Sequence, residues 1–147
     1  MRIVVEAMGH INFDKQMLTD FKGLINITDD LKTPHKWNIY RVPIDSDILK
    51  WNNYNPSAQQ APTLLQATIN LKETGDVYFD ASEFTKGYIW VNGRNLGRYW
   101  SKGPQNRVFC PGVWLKHGNN TIHVLELHYD GISKSLTGRT TLQLSSS

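Results

Sequence analysis

Disulfide chemistry is missing from this chain. Of 147 residues only one, Cys110, is a cysteine, so no internal bridge can form. Within Arg107-Val108-Phe109-Cys110-Pro111 it reads as a small buried hydrophobe at the end of a strand. Long apolar runs are missing too. None approaches the ~20 residues needed to cross a bilayer, so no membrane contact is expected. Arg2 to Ala7 is too short, and too soon followed by polar residues, to act as a signal peptide. If the chain is secreted, its signal is expected on a longer precursor, and the compartment stays open on these grounds. Charge of one sign is not concentrated. The net charge is +3, without a basic run of four, which argues against a nucleic-acid partner. There is no glycine-rich phosphate loop ahead of a helix and no serine elbow, and Ser145-Ser146-Ser147 reads as a frayed tail.

Helix signals are few. Ile44 to Asn52 could form a turn or two capped by Asp45 or Ser46, and Pro111 to Leu115 one more. Strand signals run nearly throughout. Ile3–Ala7, Gly23–Thr28 and Trp37–Val42 read as strands, the last ended by Pro43. Leu64–Leu71 alternates, with Leu65, Ala67, Ile69 and Leu71 inward and Gln66, Thr68 and Asn70 outward. Val77–Phe79, Arg107–Cys110, Thr121–His128 and Thr140–Leu144 complete the set. Many short strands with turn signals predict an all-β, antiparallel jelly-roll β-sandwich with little helix. The expected organisation is a single domain, 1–147. Its N-terminal strands, 1–44, are too few to hold a core alone and would pack on a main body, 63–144, beyond a loop at 52–62.

The most informative stretch is Lys86 to Trp100. Gly87, Ile89 and Val91 alternate with Tyr88 and Trp90, the pattern of a strand with two different faces. Asn92-Gly93 supplies the positive φ angles of a two-residue hairpin turn. The return strand carries Arg94, Asn95, Arg98, Tyr99 and Trp100.

Chemistry on acids or metals finds little support. Asp29-Asp30 and Asp45-Ser46-Asp47 are turn-type clusters. Glu126, inside Val124-Leu125-Glu126-Leu127, reads as a partly buried strand residue paired with an arginine. His123 and His128 point to opposite faces of a strand, and the other three histidines lie in separate turns, so no metal site is predicted. No catalytic residue and no cofactor is expected. The triplets Asn26-Ile27-Thr28 and Asn119-Asn120-Thr121 fit the glycosylation pattern, which has meaning only in a secreted eukaryotic chain.

The aromatic and amide residues are a better lead. A pyranose offers an apolar C–H face and a rim of hydroxyls, to be met by an aromatic plate and by bidentate hydrogen-bonding groups. Trp90, Tyr99 and Trp100 are candidate plates. Asn92, Arg94, Asn95, Arg98 and Gln105 are candidate hydrogen-bonding groups. The same residues also suit structure: Asn92 and Gly93 serve the turn, Gly97 a bulge, Trp90 the core, and Tyr99 and Trp100 a docking surface. Both readings stay open.

The string Lys86–Trp100, with Gly103-Pro104-Gln105, Pro111, Trp114-Leu115-Lys116, Gly118-Asn119 and Thr121–Glu126, resembles the C-terminal β-domain of the family-35 glycoside hydrolases, the β-galactosidases. Ile3–Phe13 and Asp20–Leu24 are similar to the segment before that domain. The resemblance implies a galactose-binding-domain-like jelly roll beside a catalytic (β/α)₈ barrel that carries two glutamates. Such a barrel needs roughly 250 residues, so those glutamates map onto no position here. The resemblance therefore implies a non-catalytic module, with galactose-containing glycans and the barrel, in cis or in trans, as partners. The alternative is a purely structural module that supports the barrel and binds no glycan. The resemblance also favours an extracytoplasmic location. Because the chain starts partway through the family's pattern, it is expected to be an excised piece or a free-standing module.

Overall fold

The structure is a computed structural model. It describes residues 3–9, 11–24, 36, 38–45, 48, 49, 61–103 and 106–142. The chain divides into two units, Met1–Tyr40 and Arg41–Ser147.

In the first unit the described residues contain one 3-10 turn, Lys15–Leu18. Asp14 precedes it at φ 67, and its carboxylate accepts from the Lys15 N–H. Asp20 accepts from the Ile11 N–H at 2.9 Å and pairs with Lys22 at 2.7 Å. The strand expected at Ile3–Ala7 does not form. Neither does one over residues 38–42, the described part of Trp37–Val42. Val4, in the first of these segments, and Ile39, in the second, are exposed, and neither segment pairs with a strand among the described residues. Residues 25–28 of the strand expected at Gly23–Thr28 lie outside the described residues.

Among its described residues the second unit is all β apart from 3-10 turns. Its strands are β1 (Thr63–Leu71), β2 (Val77–Asp80), β3 (Lys86–Val91), β4 (Arg94–Trp100), β5 (Arg107–Cys110), β6 (Gly118–Glu126) and β7 (Thr137–Arg139). One antiparallel sheet has the order β1-β6-β3-β4 and the other β5-β2-β7. Between them lie Ile89 and Val91 from β3, Tyr99 from β4, Ile122 and Val124 from β6, Phe79 from β2, and Val108 and Cys110 from β5. Both sheets supply this core, which makes the unit a β-sandwich, wound as the jelly roll expected from sequence. Each fully buried aliphatic contributes about 1.5–3 kcal/mol.

The outer face of the larger sheet is covered as well. Trp90, at 0% exposure, packs there with Leu125 and Ile48, flanked by Ile44, Leu49, Leu64 and Tyr88. The two faces of β3 read from sequence are therefore both buried. β1 departs from expectation. Leu65 and Ile69 face the inner core, but Ala67 is exposed and Leu64 packs on the opposite face. An edge strand has a neighbour on one side only, so its side chains are covered less regularly. A strand forms at Thr137–Arg139, where Arg139, Gly138 and Thr137 pair with Tyr78, Phe79 and Asp80; of the strand expected at Thr140–Leu144, residues 140–142 are not in a strand and 143–144 lie outside the described residues. The strand read as Thr121–His128 starts earlier and ends earlier, at Gly118–Glu126. The short turn read at Pro111–Leu115 is a 3-10 turn, Gly112–Trp114.

Candidate ligand cleft and the hairpin beside it

The β3–β4 hairpin turns on Asn92 at φ 50 and Gly93 at φ 81, both in the left-handed region that an Asn-Gly pair tolerates best. The Asn92 amide then ties the turn to the sandwich. Its Nδ2 donates to the Trp114 carbonyl and to Asn120 Oδ1, both at 2.9 Å, and its Oδ1 accepts from the Thr121 N–H at 3.1 Å. Asn120 is fully buried and equally committed, since its Nδ2 donates to the carbonyls of Lys116 and Gly118. A bulge comes next. Register shifts between Ile89 and Trp90, which pair with Gly97 and Asn95, leaving Leu96 as the extra residue. Gly97 takes φ 121 there. Asn95 Oδ1 accepts from the Gly97 N–H at 2.7 Å, and its Nδ2 donates to the Ile44 carbonyl at 3.2 Å.

Tyr99 is 1% exposed. Its hydroxyl donates towards the Leu125 carbonyl at 3.0 Å and lies 3.3 Å from Glu126 Oε2. Burial, then the adjacent Glu126 charge, pushes the Tyr99 hydroxyl well above the usual phenol range. Glu126 is fully buried. Its carboxylate accepts from the backbone N–H groups of Thr85, Lys86 and His128 at 2.8, 3.2 and 2.8 Å. The arginine partner read from sequence is replaced by these backbone donors, which satisfy a buried carboxylate without a second long side chain.

Four of the eight sugar-contact candidates thus serve the fold. Trp90 and Tyr99 lie in the two cores. Asn92 and Asn95 spend their amides on backbone groups and, for Asn92, on Asn120. Gln105 lies outside the described residues. Arg94, Arg98 and Trp100 keep solvent-facing surface. The Arg94 guanidinium lies 5.4 Å from the centre of the Trp114 ring, and that of Arg98 lies 5.6 Å from Trp100.

A cleft of about 400 Å³ opens where β4, an edge of one sheet, meets β5, an edge of the other. Tyr78, Phe109 and Trp114 provide aromatic walls, Leu96 an aliphatic one, and Arg98 and Arg107 the charge. Tyr78 and Phe109 are register partners on β2 and β5, with ring centroids 5.3 Å apart at 48°. Arg107 is fixed by Asp80 at 3.1 Å and by the Thr141 carbonyl at 2.9 Å. The Ser82 hydroxyl, together with the Arg107 guanidinium, holds the Asp80 carboxyl below its usual range. The volume suits one or two sugar rings. The apolar walls with a few anchored polar groups are what a small-ligand site requires.

Sequence reasoning missed Tyr78, Phe109, Trp114 and Arg107. The period-2 pattern held the signal for two of them: Val77 and Phe79, and Val108 and Cys110, point inward, so Tyr78 and Phe109 must point out. Among the described residues no group of three or more histidine, cysteine or acidic side chains could hold a metal ion. No helix among them is long and apolar enough to cross a membrane. Burial and the Asp76 charge push the Cys110 thiol up to about 11, the state of an unreactive core residue.

Residues 62–120 match the family described as "Beta-galactosidase, galactose-binding domain". The chain is 34% identical to Beta-galactosidase 1 of Dictyostelium discoideum, an alignment that covers 86% of this chain and 20% of the relative. It is 28% identical to human Beta-galactosidase-1-like protein 3 over 97% of this chain and 23% of the relative. It is 30% identical to human Beta-galactosidase over 86% and 22%. The chain spans about a fifth of the length of these curated relatives.

Proposed function

We propose that this sandwich, a galactose-binding domain of the family-35 β-galactosidases, is a non-catalytic galactoside-binding module whose site is the cleft between β4 and β5. The carrying observation is the wall of that cleft: three aromatic rings, an aliphatic side chain and two arginines converge on a space the size of a sugar. Aromatic faces take the apolar C–H side of a galactose ring, and the guanidinium groups donate to neighbouring hydroxyls.

Hydrolysis with retention needs two carboxyl groups ~5 Å apart across one bond. Asp80 is held by Arg107 and Ser82, and Glu126 is enclosed by backbone donors. Neither is free to serve as an acid or a nucleophile. A complete galactosidase would draw its reacting carboxyls from a (β/α)₈ barrel in cis or in trans.

A second reading, that of a scaffold binding no glycan, draws on the hairpin, where Trp90, Asn92, Asn95 and Tyr99 all serve the fold. Titration of the chain with galactose, lactose and β-galactan, followed by tryptophan emission, separates the two. Saturable change that is lost in Trp114→Ala, with unaltered circular dichroism, supports binding in the cleft. A flat response up to tens of millimolar removes that reading and leaves the scaffold.

A further inference from the structure

On the sheet face opposite the inner core, Lys86 and Trp100 are register partners, and Arg98 stands two residues before Trp100 on the same face. The Lys86 ammonium lies 4.4 Å from the centre of the Trp100 ring, the Arg98 guanidinium 5.6 Å and the Lys102 ammonium 5.8 Å. Three cations around one indole is a crowded arrangement. Each is drawn to the ring's electron-rich face, and there Arg98 and Lys102 repel one another.

Neither Arg98 nor Lys102 forms an ion pair or a hydrogen bond among the described residues; the indole is their shared contact. The carboxylate closest in sequence pairing, Glu126, turns away from them to the backbone N–H groups of Thr85, Lys86 and His128. Trp100 itself is only half-buried, and Lys102 is exposed. The result is an aromatic plate with a guanidinium and an ammonium at its rim and, among the described residues, no anion facing them.

From this we infer a second ligand subsite, for an anionic saccharide: a galactoside that carries a sulfate or a carboxylate. A sugar ring would lie against the free surface of Trp100, and its anionic substituent would accept charge-assisted hydrogen bonds from Arg98 and Lys102. An anion placed there also relieves the repulsion between Arg98 and Lys102. A neutral sugar could gain only the stacking. The subsite does not rest on occupancy of the cleft, although Arg98 borders both.

The test compares a sulfated β-galactan with its desulfated counterpart on the intact chain, at about 150 mM salt to suppress long-range attraction. Isothermal titration is the readout, with tryptophan emission as the second signal. The sulfated polymer binds about tenfold more tightly, the scale of one or two charge-assisted hydrogen bonds. Lys102→Glu, an exposed position outside the cleft, abolishes this preference and leaves the affinity for the desulfated polymer unchanged. Trp100→Ala, checked for folding by circular dichroism, removes the emission change caused by the sulfated polymer.

Equal affinities for the two polymers, or no binding of either, overturn the inference. So does a preference that survives Lys102→Glu. Equally tight binding of a polyphosphate or a single-stranded polynucleotide shows bare charge attraction and overturns the saccharide assignment. Binding of the sulfated polymer alone, with lactose and galactose inert, would reject the neutral-galactoside cleft while upholding this subsite.

Discussion

Gly87→Ala adds one methyl group and should break the sandwich. Gly87 is buried in the middle of the larger sheet, paired with Tyr99 on β4 and with Glu126 on β6. A Cβ there would lie 1.7 Å from the Leu125 carbonyl oxygen, 2.6 Å from the Tyr99 hydroxyl and 2.8 Å from the Leu125 carbonyl carbon. Ordinary contact begins at 3.4 Å, so β3 and β6 must part by more than an ångström. No rotamer change relieves the clash, because two of the three atoms belong to the backbone. The same methyl intrudes on the bond from the Tyr99 hydroxyl to the Leu125 carbonyl. Overpacking costs about 1–3 kcal/mol and a stranded buried hydroxyl about 1–3 kcal/mol more. The sum, about 2–6 kcal/mol, is a large share of the ~5–15 kcal/mol that holds a domain together. Urea unfolding followed by tryptophan emission measures it. Gly87→Ala/Tyr99→Phe separates the components: the hydroxyl contact disappears while the carbonyl clash stays, so about half of the loss persists. A single variant within about 0.5 kcal/mol of the parent, or full rescue by Tyr99→Phe, would refute this account of the strand.

Gly93→Val should cost more than ~1 kcal/mol, since a β-branched residue resists φ 81; an unchanged Tm would show that the turn does not need that angle. Glu126→Gln keeps size but turns an amide NH₂ towards backbone donors, and a loss of roughly 2–3 kcal/mol is expected, read as a lower urea midpoint. Acid should weaken the fold through His123, whose pKa burial lowers from 6.5. The unfolded chain binds that proton more readily than the folded one, so stability is whole above pH 6.5 and is lost as pH falls through the depressed folded value. His123→Leu should blunt this acid sensitivity, and an identical pH profile in the variant would refute the assignment.

The β3–β4 hairpin was legible because each residue type has one local use. Alternation set two faces for β3, and Asn92-Gly93 set the turn. The edges of the elements were harder. Asn120 lies ahead of the strand start read at Thr121, yet it sits inside β6, where four hydrogen bonds absorb its amide. That outcome depends on Asn92, which is distant in sequence and adjacent in space. The apolar alternation of Ile3–Ala7 looks like a strand, but alternation states only which faces a strand would have. It does not supply a neighbour to pair with. The cleft was illegible for a similar reason: Tyr78 and Phe109 meet only through the pairing of β2 with β5, and Trp114 and Arg98 join them from other segments.

The residues on which the Lys86–Trp100 string was read are largely those with no side-chain group left for a ligand. Trp90 fills a core, Tyr99 pins β4 to β6, and Asn92 and Asn95 hold the turn and the bulge. Selection on folding alone would keep such a string intact. Phe109 in the cleft wall and Lys102 beside Trp100 are exposed, and substitutions at such positions usually stay within about ±0.5 kcal/mol. A chain could therefore retain the hairpin, and with it membership of the family, after its saccharide contacts had been altered. Phe109→Ala and Lys102→Glu make that separation in one molecule. Both should leave the urea midpoint close to that of the parent while each removes a different class of sugar, and a loss of folding in step with a loss of binding would show that fold and site cannot be pulled apart.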